Sequence, residues 1–145
     1  MNKVSVTSLD KKCKKFEKKI KFAALKILKI LKKTNVLVEI YLINNQKMRF
    51  LNKKFRGKNK TTTILSFEES RNFILPPSKY KKIGEIYLNE ETRDKKQETR
   101  LLVHGLLHLF GYNHQEKNDR IRMEQAEQKL LLKIRSTKHE IRNNI

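Results

Sequence analysis

With 145 residues and a mass of 17.4 kDa, the chain has room for one hydrophobic core, and a single domain over residues 1–145 is expected. A mean hydropathy of -0.73 with 34% charged residues would by itself point toward disorder, but apolar patterns recur along most of the chain and a folded protein is expected; no run approaches the ~20 apolar residues of a bilayer span, and even FAALKILKILKK is broken by Lys26 and Lys29. The formal charge of +20 is concentrated, since residues 1–60 hold nineteen Lys/Arg against three acids and residues 61–145 sixteen against twelve. Such a field attracts polyanions, with nucleic acid as the natural partner; a merely solvated lysine surface in a Lys-, Asn- and Ile-rich chain is the other reading of the same composition.

The opening MNKVSVTSLDKKCKK has no apolar core of signal-peptide type, and the single cysteine, Cys13, cannot form an internal disulfide, so a cytoplasmic protein is expected. From Asp10 to about Lys33, apolar residues at Cys13, Phe16, Ile20, Ala23, Ala24, Ile27, Leu28 and Leu31 follow helical spacing, with Asp10 as N-cap. VLVEIYLI, Val36 to Ile43, is apolar on both faces and reads as a strand within a sheet. Asn44 begins a helical segment with Met48, Leu51, Asn52 and Phe55 on one side. TTTILSF (Thr61 to Phe67) and IGEIYLN (Ile83 to Asn89) are the next strands, and Pro76-Pro77 between them reads as a loop. A helix follows over Thr92 to Phe110, and another from Asn118 to about Ile134 with Ile121, Ala126, Leu130 and Ile134 on one side; residues 135–145 are expected to fray. The order predicts an α+β fold, a small mixed sheet covered by helices, with a histidine motif at the end of a central helix.

That motif is HGLLHLFGYNH. His104 and His108, at i and i+4, project from one helical face, and Gly111 suits a positive-φ position after the helix, a turn that brings His114 back toward the same point. Three imidazoles with a fourth position open describe a catalytic type of zinc site, whereas structural zinc takes four protein ligands. The remaining histidine, His139, lies in the charged tail and reads as surface. The spacing H-x-x-x-H-x-x-G-x-x-H is also that of metzincin proteases, whose general base follows the first histidine. Gly105 stands there, which removes a component worth roughly 10²–10⁴-fold in rate and leaves a metzincin-like protease as a weak alternative.

The motif closely resembles the signature of the YbeY family of bacterial ribosomal-RNA maturation endoribonucleases, H-G-x-L-H-L-x-G-Y-D-H. FLNKKFRGKNKTTTILSF is similar to that family's block L-N-x-x-Y-R-x-K-D-x-P-T-D-V-L-S-F through Leu51, Asn52, Arg56, Lys58, Thr62, Leu65, Ser66 and Phe67. Gly84 to Asn89 stands at its G-D-I strand, and Met123-Glu124 resembles its downstream Met-Glu. Thr63, Glu85 and Asn113 replace three family aspartates, two of them with loss of the carboxylate. The resemblance implies a metal-dependent, single-strand-preferring endoribonuclease of small-subunit rRNA maturation and ribosome quality control. It also implies one zinc ion held by His104, His108 and His114. Its partners would be an rRNA precursor and the ribosome or its assembly factors, with no membrane and no DNA.

Within that reading Arg56 is the candidate catalytic residue, contacting the scissile phosphate, and Lys53, Lys54, Lys58 and Lys60 attract the RNA backbone without reading bases. No residue is assigned as general base; Glu85 is a distant candidate, better read as a structural hydrogen-bond partner. Two other functions fit the same residues: an RNA-binding assembly factor whose metal only shapes the fold, and a zinc hydrolase of a small phosphorylated substrate.

Overall fold

The computed structural model describes residues 1–70, 78–91, 97–113 and 116–143, with side chains to residue 136. Lys3–Ser8 forms β1, a strand that its composition concealed because KVSVTS offers only Val4 and Val6 to bury. A 3-10 turn over Lys11–Phe16 then leads into α1, Glu17–Ile30. Asp10 caps this segment as expected, its carboxylate accepting from the Lys12 N–H at 3.0 Å, but the first turn is tighter than the α-helix anticipated. Cys13, Ile20, Ala24, Ile27 and Leu28 are buried, the apolar stripe predicted.

β2 is Val36–Ile43 and α2 is Asn45–Arg56. Asn44 caps α2 by accepting from the Lys47 N–H at 2.9 Å, and Gly57, at φ 70°, ends it in the left-handed conformation that glycine takes without strain. Met48, Leu51 and Asn52 are buried, whereas Phe55, expected on the same face, is 56% exposed. β3 is Ile64–Glu68 and β4 is Lys81–Asn89; Pro76-Pro77 lies outside the described residues. α3 is Glu98–Leu109, and the expected start of that helix at Thr92 falls among residues not described. α4, Lys117–Asn143, runs well past the end anticipated at Ile134. Leu130 and Ile134 are buried and Ala126 packs against the core as expected, but Met123 and Glu127 complete that face and Ile121 is 42% exposed, because contact with the rest of the fold turns the start of the stripe one step round.

Among the described residues the strands form one sheet in the order β1-β2-β4-β3, parallel except for β3, which pairs antiparallel with β4. The mixed α+β architecture expected from the sequence is present. Val38, Ile40, Leu42, Ile86 and Leu88 face the main core with α1, α3 and α4; Leu65 joins Ile43, Met48 and Leu51 in a smaller core, where the half-buried Tyr41, Phe67 and Tyr87 pack beside α2. β3 is therefore an edge strand with a helix near each face: in its antiparallel register Ile64 and Ser66 share the side of Leu88 and Ile86, and Leu65 and Phe67 that of Tyr87 and Glu85. No helix among the described residues is long and apolar enough to cross a membrane.

Candidate active site

α3 approaches the sheet very closely, and Gly105 is the reason it can. A Cβ at this position would lie 2.8 Å from the Ile64 Cδ1, 3.1 Å from the Ser66 Oγ and 3.2 Å from the Ile86 Cδ1. The residue that would carry a metzincin's base is thus packed against β3 and β4, and His104 and His108 emerge beside it toward the β3 edge. Gly84, at φ 155°, performs the same service on β4, where a Cβ would fall 2.3 Å from the Phe67 carbonyl oxygen and 2.6 Å from the Leu109 side chain.

The helix ends as Gly111 predicts. At φ 98° it reverses the chain, its N–H donating to the His108 carbonyl at 3.0 Å while the Tyr112 N–H donates to the Leu107 carbonyl at 3.1 Å, the paired bonds of a Schellman motif. The reversal sets the Tyr112 carbonyl oxygen 2.9 Å from the His108 Nδ1. His104 Nδ1 lies 2.5 Å from the Glu127 carboxylate of α4, which is only 8% exposed. A carbonyl and a carboxylate both accept, so both Nδ1 atoms donate, which leaves Nε2 of each ring to face the other. The two Nε2 atoms face each other at 3.1 Å. At that separation the two nitrogens can share either a proton, as an N–H···N hydrogen bond, or a metal cation. Two nitrogens about 2.0–2.1 Å from one tetrahedral ion would stand roughly 3.3–3.4 Å apart, so the pair fits a shared cation. The third expected ligand, His114, lies outside the described residues; among those described, no three His, Cys, Asp or Glu side chains converge on one point.

The histidines open on a cleft of about 1060 Å³ that wraps over the β3 edge. From one side come His104, His108, Tyr112 and Asn113; from the other, Asn52, Phe55, Arg56, Lys58 and Lys60, with β3 between. Arg56 donates from Nη2 to the Ser66 carbonyl at 2.9 Å, and its guanidinium carbon sits 5.3 Å from the Phe67 ring centroid. That bond uses one of five N–H donors. The basic loop after α2 is pinned from below: the Asn52 amide donates to the Lys60 carbonyl at 2.8 Å, and the fully buried Asn89 donates to Asn45, Thr61 and the Thr62 carbonyl at 2.7, 2.9 and 3.1 Å.

Of the residues the sequence singled out, His104, His108, Arg56, Lys58 and Lys60 meet in this cleft; Lys53 and Lys54 are exposed on α2 outside its lining. Asn113 lines it, whereas at the other substituted position Thr62 rather than Thr63 does. Glu85 faces the opposite side of the sheet from Ile86, accepting from Lys82 Nζ and the Tyr87 hydroxyl, each at 3.1 Å, which is a structural role and removes it as a base beside the histidines. Sequence reasoning passed over Glu127, Asn89 and Glu68, the last being the carboxylate that lines the cleft among the described residues. Glu127 had a signal: it stands three residues before Leu130 and seven before Ile134, so an acid occupies an apolar stripe.

A family model described as Endoribonuclease YbeY matches residues 2–135. The Endoribonuclease YbeY of Chelativorans sp. (strain BNC1) is 36% identical over 104 residues, 65% of this chain and 63% of that protein. That of Thermodesulfovibrio yellowstonii is 37% identical over 69% of this chain and 68% of its own length, and that of Buchnera aphidicola subsp. Baizongia pistaciae 33% identical over 70% of each. The matched region thus spans about two thirds of the length of these relatives. A Thermotoga maritima protein solved in solution shares the fold, with a TM-score of 0.51 at 23% identity over 92% of this chain and 93% of its own.

Proposed function

Because this chain belongs to the YbeY endoribonuclease family, we propose that it is a metal-dependent endoribonuclease that cuts single-stranded RNA, acting as one domain in small-subunit rRNA maturation and ribosome quality control in the cytoplasm. The observation that carries the reading is the meeting, in one cleft, of a histidine pair poised for a cation with Arg56, Lys58 and Lys60. A phosphodiester is the substrate class that needs both.

His104, His108 and His114 are the residues we assign to hold one zinc ion, which when bound supplies Lewis acidity and positive charge beside a phosphoryl group. Glu127 and the Tyr112 carbonyl fix the two rings with Nε2 turned inward. Arg56, anchored on Ser66 and Phe67, presents its remaining donors to the scissile phosphate and stabilises the charge that grows on its oxygens during cleavage; a planar guanidinium suits this better than an ammonium. Lys58 and Lys60 hold flanking phosphates, and their loop is kept in place by Asn52 and Asn89. The rRNA precursor reaches this cleft as part of the ribosome or of its assembly intermediates.

The test is cleavage of an end-labelled, unstructured RNA by zinc-loaded protein, beside chelated protein and His108→Ala. Cutting restored by zinc and absent in the variant is expected, and it should weaken steeply with salt, since RNA binding releases counterions. Salt-insensitive hydrolysis of a small phosphate ester would favour the small-substrate hydrolase instead. Tight RNA binding by folded, zinc-loaded protein without cutting would favour the assembly-factor reading, with Thr63 and Asn113 as the first positions to restore to Asp. A protease is disfavoured by the packing of Gly105.

A further inference from the structure

Phe55 continues the helical series Met48, Leu51 of α2, yet its ring is 56% exposed at the rim of the cleft. An exposed phenyl ring forgoes burial worth about 1.5–3 kcal/mol, so a ring held in water in a defined pose invites an occupant. It is held: its centroid is 5.4 Å from that of Phe67, edge to face, and the Lys54 ammonium lies 5.4 Å from it. Phe67 in turn carries Arg56 against its face, so the aromatic pair and the phosphate-binding arginine form one unit at the β3 edge. Lys58 and Lys60 line the same cleft. Cations that follow a backbone, next to an open aromatic face, are the combination that binds unpaired nucleic acid, because any base can stack but a base inside a duplex has no free face. The occupant is therefore a nucleobase rather than an apolar protein segment, which would bring no charge to meet four cations.

We propose that Phe55 stacks on an unpaired base of the RNA next to the phosphate held by Arg56, and that this contact is what selects single-stranded substrate. The inference rests on the endoribonuclease reading. It adds a residue that reads base availability, distinct from those that hold phosphate or metal.

The test uses the full chain and a short RNA methylated on its ribose hydroxyls, its integrity checked on a gel after each titration, with a fluorescent purine analogue beside the target phosphate. Stacking on Phe55 quenches the analogue. Phe55→Leu, of similar bulk but without a π face, should lose the quenching and weaken binding about 5- to 100-fold, while Phe55→Trp retains both. Phe50→Leu is the control, since Phe50 lies on the same helix, is 59% exposed and does not line the cleft. An RNA with an abasic nucleotide in place of the analogue applies the same test to the unaltered protein, whatever Phe55→Leu does to folding. Its affinity should fall to the Phe55→Leu level, with no further loss when the two changes are combined. Undiminished quenching in Phe55→Leu, or equal abasic penalties in both proteins, overturns the proposal while leaving cleavage intact. Unaltered, zinc-loaded protein that neither binds nor cuts RNA overturns the endoribonuclease reading as well.

Discussion

His104 and His108 differ in what holds their Nδ1 atoms. A backbone carbonyl orients His108, whereas the Glu127 carboxylate also makes the His104 ring a stronger donor to a cation. Glu127→Ala should therefore weaken zinc binding about 10- to 100-fold, and Glu127→Gln, whose amide oxygen still accepts the N–H, should weaken it less. Competition against a chromophoric chelator measures this, with circular dichroism as the check on folding; zinc affinity unchanged in Glu127→Ala would remove the residue from the site. The histidine spacing was readable from the chain because i and i+4 share a helical face whatever the helix packs on. The partners of those histidines were not, since one comes from α4, twenty-three residues on.

At the scale of elements, the decisive contact is α3 on the β3–β4 pair. Two glycines on facing elements permit it, Gly105 from the helix and Gly84 from the sheet. Gly105→Ala sets a gain in helix propensity of about 1 kcal/mol against overpacking of about 1–3 kcal/mol, so a net loss of about 1 kcal/mol is expected. Gly105→Glu, which supplies the metzincin carboxylate, should be far more destabilising and confer no peptidase activity. Urea unfolding midpoints and a casein digest read both outcomes, and a stable, casein-cleaving Gly105→Glu protein would reverse the assignment. From sequence, Gly105 registered only as a missing base; that it is a packing device appears once Ile64, Ser66 and Ile86 are brought beneath it.

At the scale of the whole molecule, a cluster of carboxylates on the sheet face opposite α3 answers part of the positive charge. Lys82 lies 3.1 Å from Glu85, 3.4 Å from Glu39 and 3.5 Å from Glu69, beside the stacked Tyr41 and Tyr87 rings. The hydrogen bond from Tyr41 to Glu39, with burial, pushes that phenol up to about 12; burial, with the charge of Glu85, does the same to Tyr87. Burial opposes the Lys82 ammonium, but its bond to Glu85 and the surrounding carboxylates outweigh this and raise its pKa. All three groups are thus held protonated in the folded state beyond their unfolded values of roughly 10. Their stabilisation is present in full below pH 10 and is lost as pH rises toward 12. The melting temperature should hold up to about pH 10 and fall above it, and a Tyr41→Phe, Tyr87→Phe double variant should fall less over the same window.

The chain's own residues determined the helices and central strands, the α+β class, the basic character and the positions of His104 and His108, because periodicity, capping and charge act over a few residues. Strand β1, the start of the inward face of α4, the exposure of Phe55 and the bond from His104 to Glu127 were decided by tertiary structure. Each depends on which distant surface arrives: β1 needs β2 beside it, and Ile121 or Met123 turns inward according to what α4 meets. The cleft is the clearest case. Arg56 and His104 lie on different helices, and only the edge strand β3, set between them by its pairing with β4, makes their surfaces one site.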